Sequence, residues 1–165
     1  MSVGSIQRKF LCNHLYLLSF SRFDTRTWRC VDRFNNVDGT ISRSISASSN
    51  FLAVGAESGV VNIYRNSTRM TEKNPVKSIM NIQTPIDLLK FNHDGQILAM
   101  SSRSKKDTFK MLHVPTMSVF SNWPTSRTPL GYVWSMDFSP KSQYVAIGNT
   151  KGKCLLYKVG HYANR

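Results

Sequence analysis

One stretch near the end of the chain has the residue types of a phosphate-binding loop, because residues 148–153 read GNTKGK. A P-loop needs four residues between its first glycine and the Gly-Lys pair, then Ser or Thr, then a helix whose amides face the phosphate. Here three residues separate Gly148 from Gly152, Cys154 replaces Ser or Thr, and CLLYK continues as a strand pattern. We therefore predict a hairpin turn in which Lys151 and Lys153 are exposed cations.

Residues that act as acids, bases, nucleophiles or metal ligands are few and dispersed. The four histidines and three cysteines show neither metal-ligand spacing nor a CxxC pair, and the odd cysteine count favours a reducing compartment. The nine Asp and Glu residues include no short-spaced carboxylate pair, and no GxSxG elbow occurs. His93 precedes Asp94-Gly95, a hairpin signal, and is interpreted as a solvated turn residue. We expect that the protein is not an enzyme and that it has no catalytic residues, no cofactor and no metal site.

Positive charge is the strongest functional signal. The 22 Lys and Arg residues against 9 acids give a formal net charge of +13, which favours RNA, DNA, an anionic membrane surface or an acidic protein as partner. The candidate contacts to RNA or a partner are Arg103, Lys105, Lys106, Lys110, Lys151 and Lys153. In RSKKDTFK, Phe109 accompanies the cations and could stack a base. The alternative is a solvated charged loop, and Trp123 is expected in a core or at a sheet edge.

One apolar run raises the question of a membrane segment. It extends from Phe10 to Phe20 and includes Asn13 and His14, so it is too short to span a bilayer. A signal peptide is the alternative, because two basic residues precede the run, but no small-residue cleavage site follows it. We expect no membrane partner.

Three segments repeat one pattern, and this repeat defines the elements that position the basic loops. The segments open at Ile45, Phe91 and Phe138. Seven residues later each has an apolar position followed by alanine, and these positions are 46 and 47 residues apart: Leu52, Leu98 and Val145. In the outer copies a glycine turn leads to a second apolar run that ends in tyrosine. The middle copy has three extra residues, which fit an enlarged turn around RSKKD.

The local pattern within each copy is that of short strands. VVNIY, ILAM, VAI and CLLY are rich in β-branched, aromatic and other apolar residues and are bounded by turn residues. Further strand-sized pieces lie between the copies, at residues 77–82 and 117–123. Four strands in about 46 residues is the layout of a β-propeller blade. We predict an all-β partial propeller, with the last strand of one blade at 28–34, two complete blades and three strands of another.

In this repeat of four short strands, the chain resembles the WD40-repeat family. The Trp-Asp pair that ends the third strand of such repeats is replaced by Tyr64-Arg65, His113-Val114 and Tyr157-Lys158. The phrases LAVGAESGVVNIY, KSIMNIQTPIDLLKFNHDGQILA, VFSNWP and MDFSPKSQYVAIGNTKGKCLLYKVGHY resemble the C-terminal end of the U3 small nucleolar RNA-associated protein 18 family. The resemblance extends from about residue 28 to residue 162.

The resemblance implies a function. Members of that family are non-catalytic scaffold subunits of the UTPB module of the small-subunit processome, the nucleolar particle that processes pre-ribosomal RNA for the 40S subunit. The implied partners are other processome WD40 subunits, U3 small nucleolar RNA and pre-rRNA, with direct RNA contact left open. The implied fold is part of a seven-bladed ring. The family's motif that recruits a helicase lies in an N-terminal extension, so we do not expect that activity of these residues.

The domain organisation expected from this comparison has two parts. Residues 1–25 have no clear match, and residues 26–165 form C-terminal blades of a WD40 propeller. Because the outer strand that usually closes such a ring is not present, we expect a piece of a longer protein. The alternative function is that of a WD40 adaptor in another pathway, although few acids argue against a pocket that binds lysine side chains.

Overall fold

The computed structural model describes residues 19–24, 26–35, 39–66, 74–125 and 127–160. Within these ranges the chain forms β-strands joined by turns and loops. The strands are β1 (Ser19–Phe23), β2 (Cys30–Asn35), β3 (Ser42–Ala47), β4 (Phe51–Ala56), β5 (Val61–Arg65), β6 (Lys77–Ile79), β7 (Leu88–Phe91), β8 (Ile97–Ser101), β9 (Phe109–His113), β10 (Ser118–Val119), β11 (Val133–Phe138), β12 (Tyr144–Asn149) and β13 (Cys154–Lys158).

The strands form four antiparallel sheets in which chain order and spatial order coincide. Sheet I contains β1 and β2, sheet II contains β3 to β6, sheet III contains β7 to β10, and sheet IV contains β11 to β13. The predicted all-β fold with two complete four-stranded blades and a three-stranded one is confirmed. The strand expected at residues 28–34 is β2, and its partner β1 lies in the segment 1–25 for which no match was expected. Residues 1–18 lie outside the described part of the chain, so the domain boundary at residue 25 stays a prediction.

The outer strands of sheets II and III are shorter than predicted. The strand expected at 77–82 ends at Ile79, and the one expected at 117–123 is limited to Ser118–Val119. The residues that follow leave the sheet edge because their side chains fill the space between sheets. Ile82 and Ile86 are buried between sheets II and III, and Trp123 packs between sheets III and IV. Burial of large apolar side chains outweighs two or three edge hydrogen bonds.

Two apolar cores separate the three larger sheets. The residues buried between sheets II and III are Ala53, Val61, Ile63, Ile79, Ile82, Ile86, Leu89, Phe91, Leu98, Met100, Leu112 and Val114. Those buried between sheets III and IV are Ile97, Ala99, Phe109, Leu130, Val133, Val145, Ile147 and Val159. The middle strand β8 therefore contributes Leu98 and Met100 to one core and Ile97 and Ala99 to the other. Burial on both faces explains why ILAM is a continuous apolar run.

The first strands of the larger sheets lie side by side. Strand β7 of sheet III contacts β3 of sheet II on one side and β11 of sheet IV on the other. Successive sheets thus meet along their first strands, which is the arrangement of propeller blades about an axis. The described residues include no helix long and apolar enough to cross a bilayer.

Candidate nucleic-acid interface

The basic loops of sheets III and IV lie at one end of the sheets. In an antiparallel meander, the turn from the second to the third strand and the link to the next sheet lie at the same end. We call this the turn end. It carries the turns at residues 102–108 and 150–153 and the link at 120–132. Five of the six predicted contact residues are exposed there, namely Arg103, Lys105, Lys106, Lys151 and Lys153.

Lys110, the sixth, is placed differently. It lies in β9 and is half-buried, between Phe109, which faces the core between sheets III and IV, and Met111, which packs on the same core. Because side chains alternate along a strand, Lys110 is on the face of sheet III that looks towards sheet II. The structure therefore separates Lys110 from the other five.

The first basic turn, residues 103–107, is anchored by hydrogen bonds at both ends. The Arg103 backbone N–H donates to Asp87 Oδ2 at 2.9 Å. At the other end, Asp107 Oδ1 accepts from the backbone N–H groups of Leu130 and Gly131 at 2.7 and 2.8 Å, and the Asp107 N–H donates to the Gly131 carbonyl at 2.8 Å. The turn is thus fixed to the segment that enters sheet IV.

The second basic turn, residues 150–153, is anchored by Asn149. Its Oδ1 accepts from the backbone N–H groups of Lys151 and Lys153 at 3.0 and 3.1 Å, and its Nδ2 donates to the Leu130 carbonyl at 3.2 Å. The Thr150 N–H also donates to the Tyr132 carbonyl at 3.2 Å. Strand β13 follows directly, so the predicted hairpin turn at GNTKGK is confirmed.

Both basic turns flank the same segment, residues 130–134, which carries two aromatic side chains. Trp134 is 54% exposed, and Tyr132 is half-buried. The Arg103 guanidinium carbon lies 4.8 Å from the centroid of the Trp134 ring, and Arg103 Nη2 donates to the Trp134 carbonyl at 3.1 Å. The Lys106 ammonium lies 5.6 Å from the Tyr132 ring centroid. These are cation–π distances.

Sequence reasoning missed these two aromatic residues and selected a different one. Phe109 is fully buried, with its ring 5.1 Å from that of Trp123, so the expectation that Phe109 stacks a base is wrong. Trp123 lies in the core as expected, and its other neighbour is Tyr157 at 4.9 Å. The available signal for Trp134 was the repeat itself, since the matching position of the first copy holds the exposed residue Arg43.

The acids near the turn end are already engaged. Asp87 accepts from Arg43 Nε at 3.0 Å and from the Arg103 backbone, while Arg43 also lies 3.5 Å from Glu57. The Asp107 carboxylate accepts backbone hydrogen bonds, as described above. The side chains of Arg103, Lys105, Lys106, Lys151 and Lys153 therefore present a positive field to solvent. His93 is exposed in its turn, as expected.

An open groove of about 520 Å³ adjoins the second basic turn on the outer face of sheet IV. Its lining residues are Trp134, Ser135, Met136, Asp137, Ala146, Gly148, Asn149, Gly152, Lys153 and Cys154. Across the described ranges, no group of three or more His, Cys, Asp or Glu side chains is placed to hold a metal ion. The arrangement can bind a polyanion through cations and planar groups through exposed rings.

Comparisons with known proteins give closely similar relatives, although no protein-family model matches the chain. The U3 small nucleolar RNA-associated protein 18 homolog of Arabidopsis thaliana is 42% identical over 145 residues, 86% of this chain and 27% of that protein. The Saccharomyces cerevisiae protein of that name is 50% identical over 114 residues, 68% of this chain and 19% of that protein. The Homo sapiens homolog is 39% identical over 147 residues, 86% of this chain and 26% of that protein. The chain thus spans about a quarter or less of their length.

A solved structure shows the fold. A WD40-propeller chain in the crystal structure of a mitotic checkpoint complex superposes on this chain with a TM-score of 0.67, at 14% sequence identity, over 88% of this chain and 43% of that one. The sheet order, the side-by-side first strands and this superposition make the fold a partial WD40 propeller. Together with the sequence matches, they establish that the chain belongs to the U3 small nucleolar RNA-associated protein 18 family of WD40-repeat proteins.

Proposed function

We propose that this chain is part of a non-catalytic scaffold of the nucleolar small-subunit processome, where it supports pre-rRNA processing for the 40S subunit together with U3 small nucleolar RNA. The observation that carries this proposal is the 42% and 50% identity to relatives whose names state an association with that RNA. Identity at this level over most of the chain is accompanied by the same fold, so the surfaces available for assembly are of the same kind.

The structure offers surfaces suited to assembly. Propeller blades present loops at both ends, where partners dock. At the turn end, five exposed cations on anchored turns suit contact with the phosphates of an RNA, and the flat flanks of the sheets suit neighbouring proteins. We propose Arg103, Lys105, Lys106, Lys151 and Lys153 as contacts to RNA or a partner, with Lys110 in a secondary position because it is half-buried in β9.

The proposed partners and location follow from the family. The partners are other WD40 subunits of the UTPB module, U3 small nucleolar RNA and pre-rRNA, and the location is the nucleolus. No reaction is assigned, because the relatives are named for an RNA association. We also retain residues 26–165 as the propeller part and residues 1–25 as the segment without a clear match, although its residues 19–23 form β1 and pair with β2.

Co-purification tests this proposal. The tagged 165-residue chain is expressed in yeast cells, and the U3 small nucleolar RNA recovered with it is measured against a spliceosomal small nuclear RNA. We expect selective enrichment of the U3 RNA and nucleolar fluorescence of a tagged copy. A matched control is Ile63→Asp, which places a charge in the core between sheets II and III and should abolish both signals by unfolding the blades.

Two outcomes would count against the proposal. One is a folded chain that recovers neither U3 RNA nor processome subunits. The other is a nucleolar signal that persists unchanged in Ile63→Asp, because localisation would then depend on charge alone and not on the folded blades.

A further inference from the structure

The turn end of sheets III and IV contains a strip in which aromatic rings lie between two groups of cations. The strip consists of the first basic turn (103–107), the aromatic segment (130–134) and the second basic turn (150–153). Asp107 joins the first turn to the segment, and Asn149 joins the second turn to the same segment. The backbone hydrogen bonds from the Asp107 N–H to the Gly131 carbonyl and from the Thr150 N–H to the Tyr132 carbonyl join the same three parts, so their relative positions are set without a ligand.

Trp134 is the unusual member of this strip. A tryptophan that is 54% exposed leaves a large apolar surface in water, and tryptophan is enriched at interfaces, where one end of its ring system is covered and the other is solvated. Trp134 differs from the more exposed Trp28 because a cation lies over its ring. The Arg103 guanidinium lies over its ring, and the ring also borders the groove on sheet IV together with Lys153. A planar group entering this groove would meet an aromatic wall and a cation.

The charge distribution favours an anionic ligand. Asp87 pairs with Arg43 and accepts from the Arg103 backbone, and Asp107 accepts backbone hydrogen bonds through Oδ1. Among the described residues, no carboxylate forms a salt bridge with the lysines or the arginine of the two basic turns. Asp137, which borders the groove, is paired with Lys90 at 3.2 Å. The cations of the two turns therefore remain available to phosphates.

We propose that this strip is a binding site for single-stranded RNA, in which Trp134 stacks a base and Arg103, Lys106, Lys151 and Lys153 contact the backbone phosphates. Single-stranded sites of this kind combine a positively charged track with aromatic platforms, because every base has a π-face and every nucleotide a phosphate. The choice of RNA as the polyanion rests on the proposed function, whereas the combination of rings and cations is independent of it.

An acidic polypeptide is the competing ligand, and Trp134 distinguishes the two. A run of carboxylates would satisfy the lysines but supplies no aromatic ring to stack on the indole. Duplex RNA would likewise offer phosphates while keeping its bases stacked on each other. Only an unpaired strand uses both the cations and the ring.

The test measures RNA binding by the purified 165-residue chain. A fluorescein-labelled oligouridylate of about 12 nucleotides, a length within the range bound by one small module, is titrated by fluorescence anisotropy. We expect Trp134→Ala to weaken binding about 5- to 150-fold, the range for loss of one base–aromatic stack. The matched control is Trp28→Ala, which removes an exposed tryptophan from the turn between β1 and β2 and should leave binding unchanged.

The cations are tested through the salt dependence of binding. The double variant Lys151→Gln/Lys153→Gln should lower the slope of log affinity against log salt by about 1.4, since each phosphate contact to a single strand contributes about 0.7. The matched control is Lys141→Gln/Lys158→Gln, which removes two exposed lysines from the opposite end of sheet IV. That pair should change the slope by much less.

A second readout does not depend on a folded Trp134 variant. In a Trp28→Phe background, RNA binding should quench the tryptophan fluorescence, because the base stacks on Trp134 while Trp123 stays in the core. Titration without quenching would overturn the proposal. It would also be overturned by equal affinity of Trp134→Ala and Trp28→Ala, or by competition from poly-glutamate or duplex RNA as strong as that from the unpaired strand.

Failure of this inference can be told apart from failure of the proposed function. If the chain recovers U3 RNA from cells but Trp134→Ala does so equally well, the scaffold role stands and the stacking site is wrong. If the chain binds oligouridylate through Trp134 but recovers no U3 RNA, the site stands and the processome assignment is wrong.

Discussion

Sheets II and IV have the same pairing register but differ in what covers them. In sheet II, Gly55 pairs with Val61, and in sheet IV Gly148 pairs with Cys154, so the two sheets match residue for residue from these points. Each first strand also has a register shift before the serine that lies opposite the glycine, Ser44 or Ser135. The face of sheet II that carries Gly55 is covered by sheet III and by the link at residues 80–87. The equivalent face of sheet IV, which carries Gly148, borders the open groove.

The covering segment determines what the equivalent residues do. The Ser44 hydroxyl donates to the Ile86 carbonyl at 2.6 Å, and Ile86 itself packs over Gly55. Ser135, at the same place in sheet IV, is exposed. One strand pattern therefore produces one register, whereas burial depends on the neighbouring sheet, which the pattern does not encode. Equivalent residues of the two sheets form matched pairs whose substitution should change the free energy of unfolding by different amounts.

The largest difference is expected for the third strands. Ile63 in β5 is fully buried and its counterpart Leu156 in β13 is 66% exposed. Ile63→Ala should lower the free energy of unfolding by about 2–5 kcal/mol, because it leaves a cavity in the core, and Leu156→Ala by less than about 0.5 kcal/mol. Urea unfolding followed by circular dichroism measures both. A large loss for Leu156→Ala at every protein concentration would mean that the outer face of sheet IV is covered in solution.

The second pair concerns the turns that follow the second strands. Gly59 (φ +88°) and Gly152 (φ +69°) both adopt the left-handed conformation, so alanine at either should cost roughly 1–2 kcal/mol. A methyl group on Gly59 would also collide with the Ile82 carbonyl, whereas one on Gly152 meets nothing within 4 Å. Gly59→Ala should therefore lower the free energy of unfolding by about 1–3 kcal/mol more than Gly152→Ala does, which is the usual cost of overpacking. Equal urea midpoints would show that the link at 80–87 moves aside freely.

The third pair consists of the strand glycines. A methyl group on Gly55 would lie 2.6 Å from Ile86 Cγ2 and 2.8 Å from Ile86 Cβ, whereas one on Gly148 would meet only the rotatable Ser135 hydroxyl as a close contact. Gly55→Ala should cost about 1–3 kcal/mol through overpacking, and Gly148→Ala should stay within about 0.5 kcal/mol. Thermal unfolding of both variants checks this. A destabilised Gly148→Ala with an intact Gly55→Ala would reverse the comparison.

The smallest effect is expected for the serines. Ser44→Ala removes a hydroxyl that donates to the Ile86 carbonyl at 2.6 Å and should cost about 1 kcal/mol, the net value of one hydrogen bond. Ser135→Ala should be neutral within about 0.5 kcal/mol because its hydroxyl is solvated. The double variant Gly55→Ala/Ser44→Ala gives a further check. Because the two residues are in contact, their effects on the free energy of unfolding should not add.

The strands and turns were largely readable from the sequence, for a local reason. Alternating or continuous apolar runs such as VVNIY and ILAM, bounded by Gly, Asn and Asp, determine strand identity through backbone preferences and side-chain period. The 46- and 47-residue spacing then predicted how many strands each blade has. The predicted ends of β6 and β10 were wrong, because Ile82 and Trp123 leave the sheet edge and fill cores that exist only where sheets pack against each other.

The cations of the candidate site were predictable from the sequence, whereas its aromatic residues were not. RSKKD and TKGK are visibly basic, and loops of a propeller are exposed, so five of the six candidate cations lie at the turn end. Which aromatic residue joins them depends on strand register and on the neighbouring sheet. Phe109 comes directly after the basic turn in sequence but points into the core, while Trp134 comes from the next sheet.

The sequence by itself determined the strand pattern, the repeat, the hairpin turns and the excess of positive charge, because each depends on residues close together in the chain. Tertiary structure alone decided that Asp107 and Asn149 join two distant turns to residues 130–134, that Arg103 lies on the Trp134 ring, and that Ile63 is buried while Leu156 is exposed. These features arise from packing between sheets, where contacts join residues of different repeats and the local pattern is the same whether or not a neighbour is present.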